Sequence, residues 1–157
     1  MSTKRVYNYL KNYNLENRVK EFECSSATVE LAAAALKCEE ARIAKTLSFS
    51  LNESQAILIV AAGDTRIDNK KYKKEFGLKA KMLNPVEVKK FTGYEVGGVC
   101  PFDISEDVSI YLDVSMQRFD TIFPAAGTAN SAVELTCDEL FVTSKSKKWV
   151  DVCSFRS

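Results

Sequence analysis

Residues 56–62 read Ala-Ile-Leu-Ile-Val-Ala-Ala and carry no polar side chain. A strand with one face in water alternates apolar and polar residues, so this unbroken apolar run predicts a strand buried on both faces. The preceding segment 41–51 alternates instead, with Ile43, Leu47 and Phe49 set against polar neighbours, and predicts an adjacent strand. A strand buried on both faces requires helices or further strands on each side of its sheet.

Helical and strand patterns alternate along the chain, bounded by capping residues, glycine or proline. The predicted helices cover 2–13, 29–36, 68–76, 84–90 and 137–143. The predicted strands cover 18–23, 41–51, 56–62, 79–83, 108–114, 118–124, 132–135 and 149–153. No linker or repeat interrupts them. We therefore expect one α/β domain over 1–157, with a mixed, curved, barrel-like sheet, helices outside it, and residues 1–17 leading in as an N-terminal helix.

Composition excludes several classes of protein. The 157 residues include no histidine and five widely spaced cysteines without a C-x-x-C motif. Hydrolases that depend on a histidine are excluded, and the cysteine pattern predicts reduced thiols, with no zinc site and no disulfide framework. The apolar runs are too short to cross a bilayer, and the N-terminus lacks the apolar core of a secretory signal. The sequence thus predicts a cytoplasmic protein without a membrane partner and without a metal.

Charge is unevenly distributed although the net charge is only +1. Residues 70–90 contain eight lysines against two glutamates, whereas residues 91–140 contain nine acidic residues against one arginine. A basic segment of this kind is typical either of a surface that binds a polyanion or of a solvated helix face. Charge alone does not decide between them.

Segment 92–102, Thr-Gly-Tyr-Glu-Val-Gly-Gly-Val-Cys-Pro-Phe, holds three of the six glycines and one of the three prolines. A glycine pair allows close approach of the backbone, so the N–H groups of Gly97 and Gly98 can receive a developing negative charge. The alternative is an ordinary tight turn between a helix and a strand.

Isolated side chains give weaker signals. Lys45 is a lone cation on an alternating strand, typical of a charge that reaches water along its own stem or of a lysine that binds a carbonyl or phosphate oxygen. Cys100 is a candidate nucleophile, although no histidine is present to lower its pKa. Asp64, Asp68 and Asp113 match no metal motif, and turn or cap roles explain Asp64 and Asp68.

Five segments in this order carry a family resemblance: Thr28-Val29-Glu30, Ala44-Lys45-Thr46-Leu47, Gly63-Asp64-x-Arg66-x-Asp68, Thr92-Gly93-Tyr94-x-Val96-Gly97-Gly98-Val99-x-Pro101 and Glu134-Leu135. They resemble the YbaK family of aminoacyl-tRNA deacylases, related to the editing domain inserted in bacterial prolyl-tRNA synthetases. The resemblance runs from about residue 18 to the C-terminus. It favours the functional interpretation of Lys45 and of the glycine loop over the ordinary one.

The resemblance implies a hydrolase without a metal or other cofactor, which removes the amino acid from a mischarged tRNA, first of all Cys-tRNA(Pro) or another misacylated tRNA(Pro). The essential lysine of the family corresponds to Lys45. The substrate-binding and oxyanion residues correspond to Thr46, Gly97, Gly98, Pro101, Gly127 and Asn130. The partners implied are the tRNA acceptor end and a prolyl-tRNA synthetase.

One loop departs from the family pattern. Members that act on Cys-tRNA(Pro) tend to have Gly-Gly-Lys-Arg-Gly where this chain has Ala-Gly-Thr-Ala-Asn at 126–130. The amino acid removed therefore stays open among cysteine, alanine, serine and threonine. We expect the lysines of the basic segment to face tRNA: Lys70, Lys71, Lys73 and Lys74. The alternative function is a non-catalytic module of the same fold that binds tRNA or a synthetase.

Overall fold

The computed structural model describes residues 2–156, which contain five α-helices and nine β-strands. The helices are α1 Ser2–Lys11, α2 Val29–Leu36, α3 Asn69–Phe76, α4 Pro85–Thr92 and α5 Cys137–Ser144. The strands are β1 Val19–Glu21, β2 Ile43–Asn52, β3 Gln55–Ala62, β4 Thr65–Ile67, β5 Val108–Asp113, β6 Phe123–Pro124, β7 Ser131–Val133, β8 Trp149–Val150 and β9 Cys153–Phe155. None of these helices is long and apolar enough to span a bilayer.

The central sheet has five strands in the order β6-β2-β3-β5-β8. The β2–β3 pair is antiparallel and the other three pairs are parallel, so the sheet is mixed. β3 lies in the middle, and every residue from Ala56 to Ala62 is at most 2% exposed. The prediction of a strand buried on both faces is therefore confirmed, and so is the mixed α/β fold.

The alternation of β3 divides the interior into two cores. Its even-numbered residues join the larger core, which contains Val6 and Leu10 of α1 and the aromatic rings of Tyr94 and Phe102. Its odd-numbered residues face a second core beneath α3, where Tyr72 stacks against Phe49. Whether a residue of β3 has an even or an odd number therefore determines which of the two cores its side chain joins.

Two short antiparallel ribbons extend the sheet. β1 pairs with β7, and isolated bridges between Ile122 and Leu135 and between Ala125 and Ala132 connect β7 to β6. β4 pairs with β9, which brings the end of the described chain next to the turn that follows β3. The β1–β7 ribbon is thereby attached to the β6 edge of the central sheet.

Helix boundaries agree with the predicted capping signals. Thr28 caps α2 through its hydroxyl, and Asn84 with Glu87 forms a capping box on α4. Gly77 ends α3 in the left-handed conformation, with φ of +74°.

Three predicted strands are wrong in extent. Segment 79–83 forms only a bridge from Met82 to Phe49 rather than a strand. Of 118–124 only Phe123–Pro124 is a strand: Arg118 ends a 3-10 helix, and Ile122 forms only an isolated bridge to Leu135. The strand predicted over 149–153 is interrupted where the N–H of Val152 donates to the Asp113 carboxylate at 2.9 Å instead of to a neighbouring strand.

Candidate functional site

A cavity of about 380 Å³ opens along the free edge of β2. Its walls come from β2, the start of α2, the segment 82–88, the glycine loop and the strands β6 and β7. Hydroxyl-bearing residues line part of it: Ser26, Thr28, Thr46, Ser48 and Ser131. Apart from Gly97, the other uncharged lining residues are apolar, and within residues 2–156 Lys45 is the only charged residue that lines the cavity.

The cavity exists because β2 is paired only in part along this edge. β6 covers residues 43–44, and further along the segment 81–83 hydrogen-bonds to Ser48 and Ser50. Thr46 lies between these two contacts. Since backbone polar groups on a strand alternate between its two edges, the N–H and C=O of Thr46 point to the same edge as those of Ser48 and Ser50, towards the cavity.

Lys45 is half-buried, and its Nζ donates a hydrogen bond to the carbonyl of Thr65 in β4. Burial lowers the pKa of Lys45, and the positive charge of the nearby Arg156 lowers it further. Arg156 also donates to the carbonyl of Gly63 at 3.0 Å, and its backbone N–H donates to the carbonyl of Asp64 at 3.0 Å. The β4–β9 ribbon thus fixes the turn against which the ammonium rests.

The carboxylates near this turn already have partners. Asp64 accepts two hydrogen bonds from Arg118, at 2.7 and 3.0 Å, and these lower its pKa. Asp68 caps α3, and Asp113 is buried and accepts from the backbone N–H of Ser115 and Val152. Each aspartate therefore has a structural role, as the sequence favours for Asp64 and Asp68. Within residues 2–156, no group of three metal-ligating side chains could hold an ion.

Thr46, the next residue of β2, also lines the cavity. Its Oγ1 is buried and has no hydrogen-bond partner within the described part of the chain. Buried hydroxyl groups are almost always hydrogen-bonded, so this atom is an unsatisfied polar group next to the cavity.

The two glycines of the predicted oxyanion loop differ. Gly97 lines the cavity with φ of +96°, and a Cβ atom there would lie 3.2 Å from the Cβ of Ala27. Gly98 does not line it: a Cβ on Gly98 would lie 2.7 Å from the Cα of Thr128, and its N–H already donates to the carbonyl of Glu95 at 3.0 Å. Gly98 therefore allows two loops to touch, while Gly97 faces the space that a substrate would fill.

Three further predicted site residues lie behind the cavity wall. Pro101 is buried, and Gly127 has φ of +93° in the turn that meets Gly98. Asn130 ties this turn to β1, since its Nδ2 donates to the carbonyl of Phe22 at 2.9 Å and its carbonyl accepts from the Phe22 N–H. None of the three lines the cavity. Their role towards a substrate stays a prediction.

Cys100 is fully buried, and burial raises its pKa to about 12. A thiol in this state is protonated at neutral pH and is a poor nucleophile. Its side chain lies in the main core and does not line the cavity.

The four lysines predicted to face tRNA lie on α3, which covers the second core, and none of them lines the cavity. Lys71 donates to Asp151 at 3.1 Å and to the carbonyl of Cys153 at 2.9 Å. Lys70, Lys73 and Lys74 are exposed and have no ion-pair partner among residues 2–156. Three of the four are therefore free to contact a polyanion.

Sequence reasoning missed most of the lining residues. Ser26, Met82, Phe123 and Ser131 come from four separate segments, and only the fold brings them to one cavity. Thr28 carried a signal, because it stands in one of the motifs of the family resemblance and caps the helix that borders the cavity.

Comparison with known proteins identifies the family. The model of the aminoacyl-tRNA editing domain matches residues 24–141. The uncharacterized protein YwhH of Bacillus subtilis (strain 168) is 56% identical over 153 residues, 98% of each chain. EbsC of Enterococcus faecalis (strain ATCC 700802 / V583), named as a candidate Cys-tRNA(Pro)/Cys-tRNA(Cys) deacylase, is 31% identical over 109 residues, 69% of this chain and 66% of that one.

Solved structures agree with this assignment. The crystal structure of a candidate trans-editing enzyme for prolyl-tRNA synthetase has a TM-score of 0.87 and 28% identity, over 98% of this chain and 97% of that one. The hypothetical protein APE2540 gives 0.85 and 27%, over 96% and 99%. The resemblance noted in the sequence is confirmed, and the chain belongs to the aminoacyl-tRNA editing domain family.

Proposed function

We propose that this protein is a trans-editing deacylase that hydrolyses the ester of a mischarged tRNA, with Cys-tRNA(Pro) as first candidate and other misacylated forms of tRNA(Pro) next. The observation that carries the proposal is the position of Lys45, which within residues 2–156 is the one charged residue that lines the cavity. The family and the names of its relatives support the class of reaction.

Hydrolysis of an aminoacyl ester proceeds through a tetrahedral oxyanion, so the site must supply positive charge or N–H donors. In the proposal the Lys45 ammonium binds the ester carbonyl oxygen or the terminal ribose-phosphate. The backbone at Gly97 provides further polar contact, and the N-terminus of α2, whose cap Thr28 also lines the cavity, adds a partial positive charge. Gly98 supports this wall through its packing rather than through its N–H, which is already bonded.

No carboxylate lines the cavity within residues 2–156, so the general base is not a side chain of the Asp or Glu type. We propose that a hydroxyl or thiol of the substrate assists the attack of water. Water then adds to the carbonyl carbon, the bond to the ribose oxygen breaks, and that oxygen takes up a proton. A substrate that lacks the vicinal ribose hydroxyl, or one that lacks the side-chain thiol, should react slowly, and undiminished rates on both analogues would contradict this step.

The lining favours an uncharged amino-acid side chain. Most lining residues are apolar, among them Ala32, Ala44 and Ala125, and within residues 2–156 no carboxylate lines the cavity that could pair with a cationic side chain. Burying an unpaired charge costs several kcal/mol, whereas a methyl, thiol or hydroxyl group fits. Cysteine, alanine, serine and threonine all satisfy this requirement.

The deciding experiment is a deacylation assay on tRNA(Pro) charged separately with cysteine, alanine, serine, threonine or proline. We expect rapid loss of one misacylated species, sparing Pro-tRNA(Pro), and its abolition in Lys45→Ala. If the Lys45→Ala variant is still active, the protein is a deacylase but the assignment of Lys45 to its active site is wrong. Absence of hydrolysis of every species, with tRNA or a synthetase still bound, would favour the non-catalytic binding module.

The basic face of α3 is proposed as a tRNA-contacting surface, formed by the three unpaired lysines Lys70, Lys73 and Lys74. Replacing all three by glutamate should weaken tRNA binding and flatten its dependence on salt concentration. The matched control replaces Lys4, Lys11 and Lys147 by glutamate. These lysines are exposed elsewhere on the protein, and their replacement changes the net charge by the same amount. Equal loss in both triple variants would indicate a non-specific charge effect and contradict this surface.

A further inference from the structure

The side chain of Arg156 connects three segments that lie far apart in the chain. Its Nη2 donates to the carbonyl of Gly63 at 3.0 Å and lies 3.4 Å from a carboxylate oxygen of Glu40. Its Nη1 lies 3.9 Å from a carboxylate oxygen of Glu30 in the first turn of α2. We call these contacts of Arg156 with Gly63, Glu40 and Glu30 the Arg156 clamp. One side chain thus joins the turn after β3, the 3-10 turn before β2 and the start of α2.

The turn at Gly63 is also packed tightly against two of these segments. A Cβ atom on Gly63 would overlap the carbonyl oxygen of Glu40 and would lie 2.8 Å from Cγ1 of Val29. Only glycine allows the backbone to approach this closely. Val29 lines the cavity, and so does Thr28, the cap of α2. The first turn of α2 therefore borders the cavity and also contacts the turn at Gly63.

The same turn holds the ammonium of Lys45. The carbonyl of Thr65, two residues after Gly63, accepts the hydrogen bond from Lys45 Nζ. Thr65 is itself fixed, because its hydroxyl donates to the carbonyl of Ala62 at 2.7 Å. The Arg156 clamp therefore connects the hydrogen-bond acceptor of Lys45 to the α2 wall of the cavity.

The Arg156 clamp is not well suited to stabilise the fold by itself. The side chains of Arg156, Glu30 and Glu40 are 42%, 61% and 47% exposed. Exposed ion pairs contribute little to stability, because water and salt screen their attraction. Arg156 does not line the cavity, so any effect on the reaction must act through other residues. Such an effect can be measured in a variant that keeps its fold.

We propose that Arg156 is a positioning residue for the deacylation reaction, which holds the turn 63–65 against α2 and so keeps the Lys45 ammonium in place at the cavity. This inference rests on the proposed function. It also gives a role to Glu30 and Gly63, which stand in two motifs of the family resemblance but do not line the cavity.

The charge of Arg156 provides a readout that packing alone would not move. Burial lowers the pKa of Lys45, and the positive charge of Arg156 lowers it further. Three other groups act on Lys45 in the opposite direction: Cys153 of β9, Asp64 of the turn and Glu30 of α2. Removal of Arg156 should therefore raise the pKa of Lys45, so that the ammonium is lost at a higher pH.

The first test needs no substrate and compares Arg156→Gln and Arg156→Lys with Arg18→Gln. Arg18 is the matched control, because its side chain is also 42% exposed and pairs with Glu139 outside the cavity lining. Acetic anhydride reacts with the neutral amine, and mass spectrometry gives the acetylation rate of Lys45 relative to the exposed Lys147 at each pH. In Arg156→Gln the pH of half-maximal acetylation should rise by about half a unit. It should not change in the other two variants.

The second test measures deacylation of the preferred misacylated tRNA. In Arg156→Gln, kcat at neutral pH should fall about tenfold through misplacement of Lys45, with KM within about twofold of the wild type. The loss of kcat at alkaline pH should move to a higher pH in parallel with the acetylation. Arg156→Lys keeps the charge and should retain kcat within about twofold.

Unchanged acetylation or unchanged kcat in Arg156→Gln would overturn the inference, since both must change if Arg156 positions Lys45. An equal fall of kcat in Arg18→Gln, or an Arg156→Gln variant that does not fold, would also contradict it and indicate a general structural effect. A wild type that hydrolyses no misacylated tRNA would contradict the proposed function instead. The acetylation of Lys45 would still test whether Arg156 holds it, so the two failures are distinguishable.

Discussion

The cavity has two opposite walls, and they are built differently. The β2 wall carries Lys45 and Thr46 on a strand that is paired with β3 along almost its whole length. The glycine-loop wall presents backbone, and its shape depends on Gly97 and Gly98. We therefore expect the β2 wall, to which the proposal assigns the chemistry, to tolerate substitution without loss of the fold, and we expect the glycine-loop wall to be sensitive to it.

Packing explains the difference in tolerance. Lys45 lies on a strand whose backbone is held by its partner whatever side chain it carries, and its only described hydrogen bond is to one carbonyl. Gly98 instead lies against the backbone of Thr128. That backbone cannot move without displacing the turn 127–130, which Asn130 connects to the end of β1. Substitutions on the two walls should therefore separate activity from stability.

The largest effect is expected for Lys45→Met, which keeps the length of the side chain and removes the charge. Loss of the ammonium should reduce the deacylation rate by about 100-fold or more, as for removal of a group that stabilises an oxyanion. The free energy of unfolding at neutral pH should be equal to or higher than that of the wild type, because a partly desolvated cation is removed. Rates are measured on the preferred misacylated tRNA, and stability by urea unfolding.

Lys11→Met is the matched control, since it removes an exposed lysine on α1 outside the cavity lining. It should leave kcat unchanged. A Lys45→Met variant that is inactive because it is unfolded would contradict the assignment of the β2 wall to chemistry.

The second effect is on stability and concerns Gly98→Ala. The new Cβ would lie 2.7 Å from the Cα of Thr128, and overpacking against backbone should lower the free energy of unfolding by about 1–3 kcal/mol. Gly77→Ala is the control, because φ there is +74° but a Cβ would meet no atom within 4 Å, so the cost should stay near 1 kcal/mol. The free energy of unfolding of both variants is measured by chemical denaturation. Equal losses would mean that the backbone at Gly98 and Thr128 shifts to accommodate the new Cβ atom.

How far the sequence predicts this site depends on how local each signal is. The bounds of α2 were predictable because Thr28 supplies its cap within the same segment, and the burial of β3 followed from its own seven apolar residues. The role of Gly98 was not predictable, because its contact Thr128 lies 30 residues away and belongs to a different turn. The place of Met82 in the cavity lining could not be predicted for a related reason: the segment 79–83 alternates like a strand but makes only one bridge to β2 within the described residues.

The third and smaller effect is that of Cys100→Ala, which tests whether the thiol in the glycine loop takes part in the reaction. Cys100→Ala should leave the deacylation rate within about twofold of the wild type, because the thiol is protonated and buried and does not line the cavity. The free energy of unfolding should fall by about 1 kcal/mol through the small cavity left behind. In the native wild type, iodoacetamide should modify the exposed Cys24 far faster than Cys100. Loss of activity in a folded Cys100→Ala variant would restore the thiol mechanism.

The smallest effect is the pH dependence of stability that Lys45 introduces. Its pKa in the folded protein is lowered by burial and by Arg156, so between the folded value and the unfolded value near 10.5 the unfolded chain binds more protons. The stability of the wild type relative to Lys45→Met must therefore increase as the pH rises through this window, and the penalty of the buried cation is fully present below it. Urea unfolding of both proteins at neutral and alkaline pH measures the difference. A difference that does not change with pH would mean that the ammonium is as well solvated in the folded protein as in the unfolded chain, and the β2 wall would then lack the desolvated charge that distinguishes it from the glycine-loop wall.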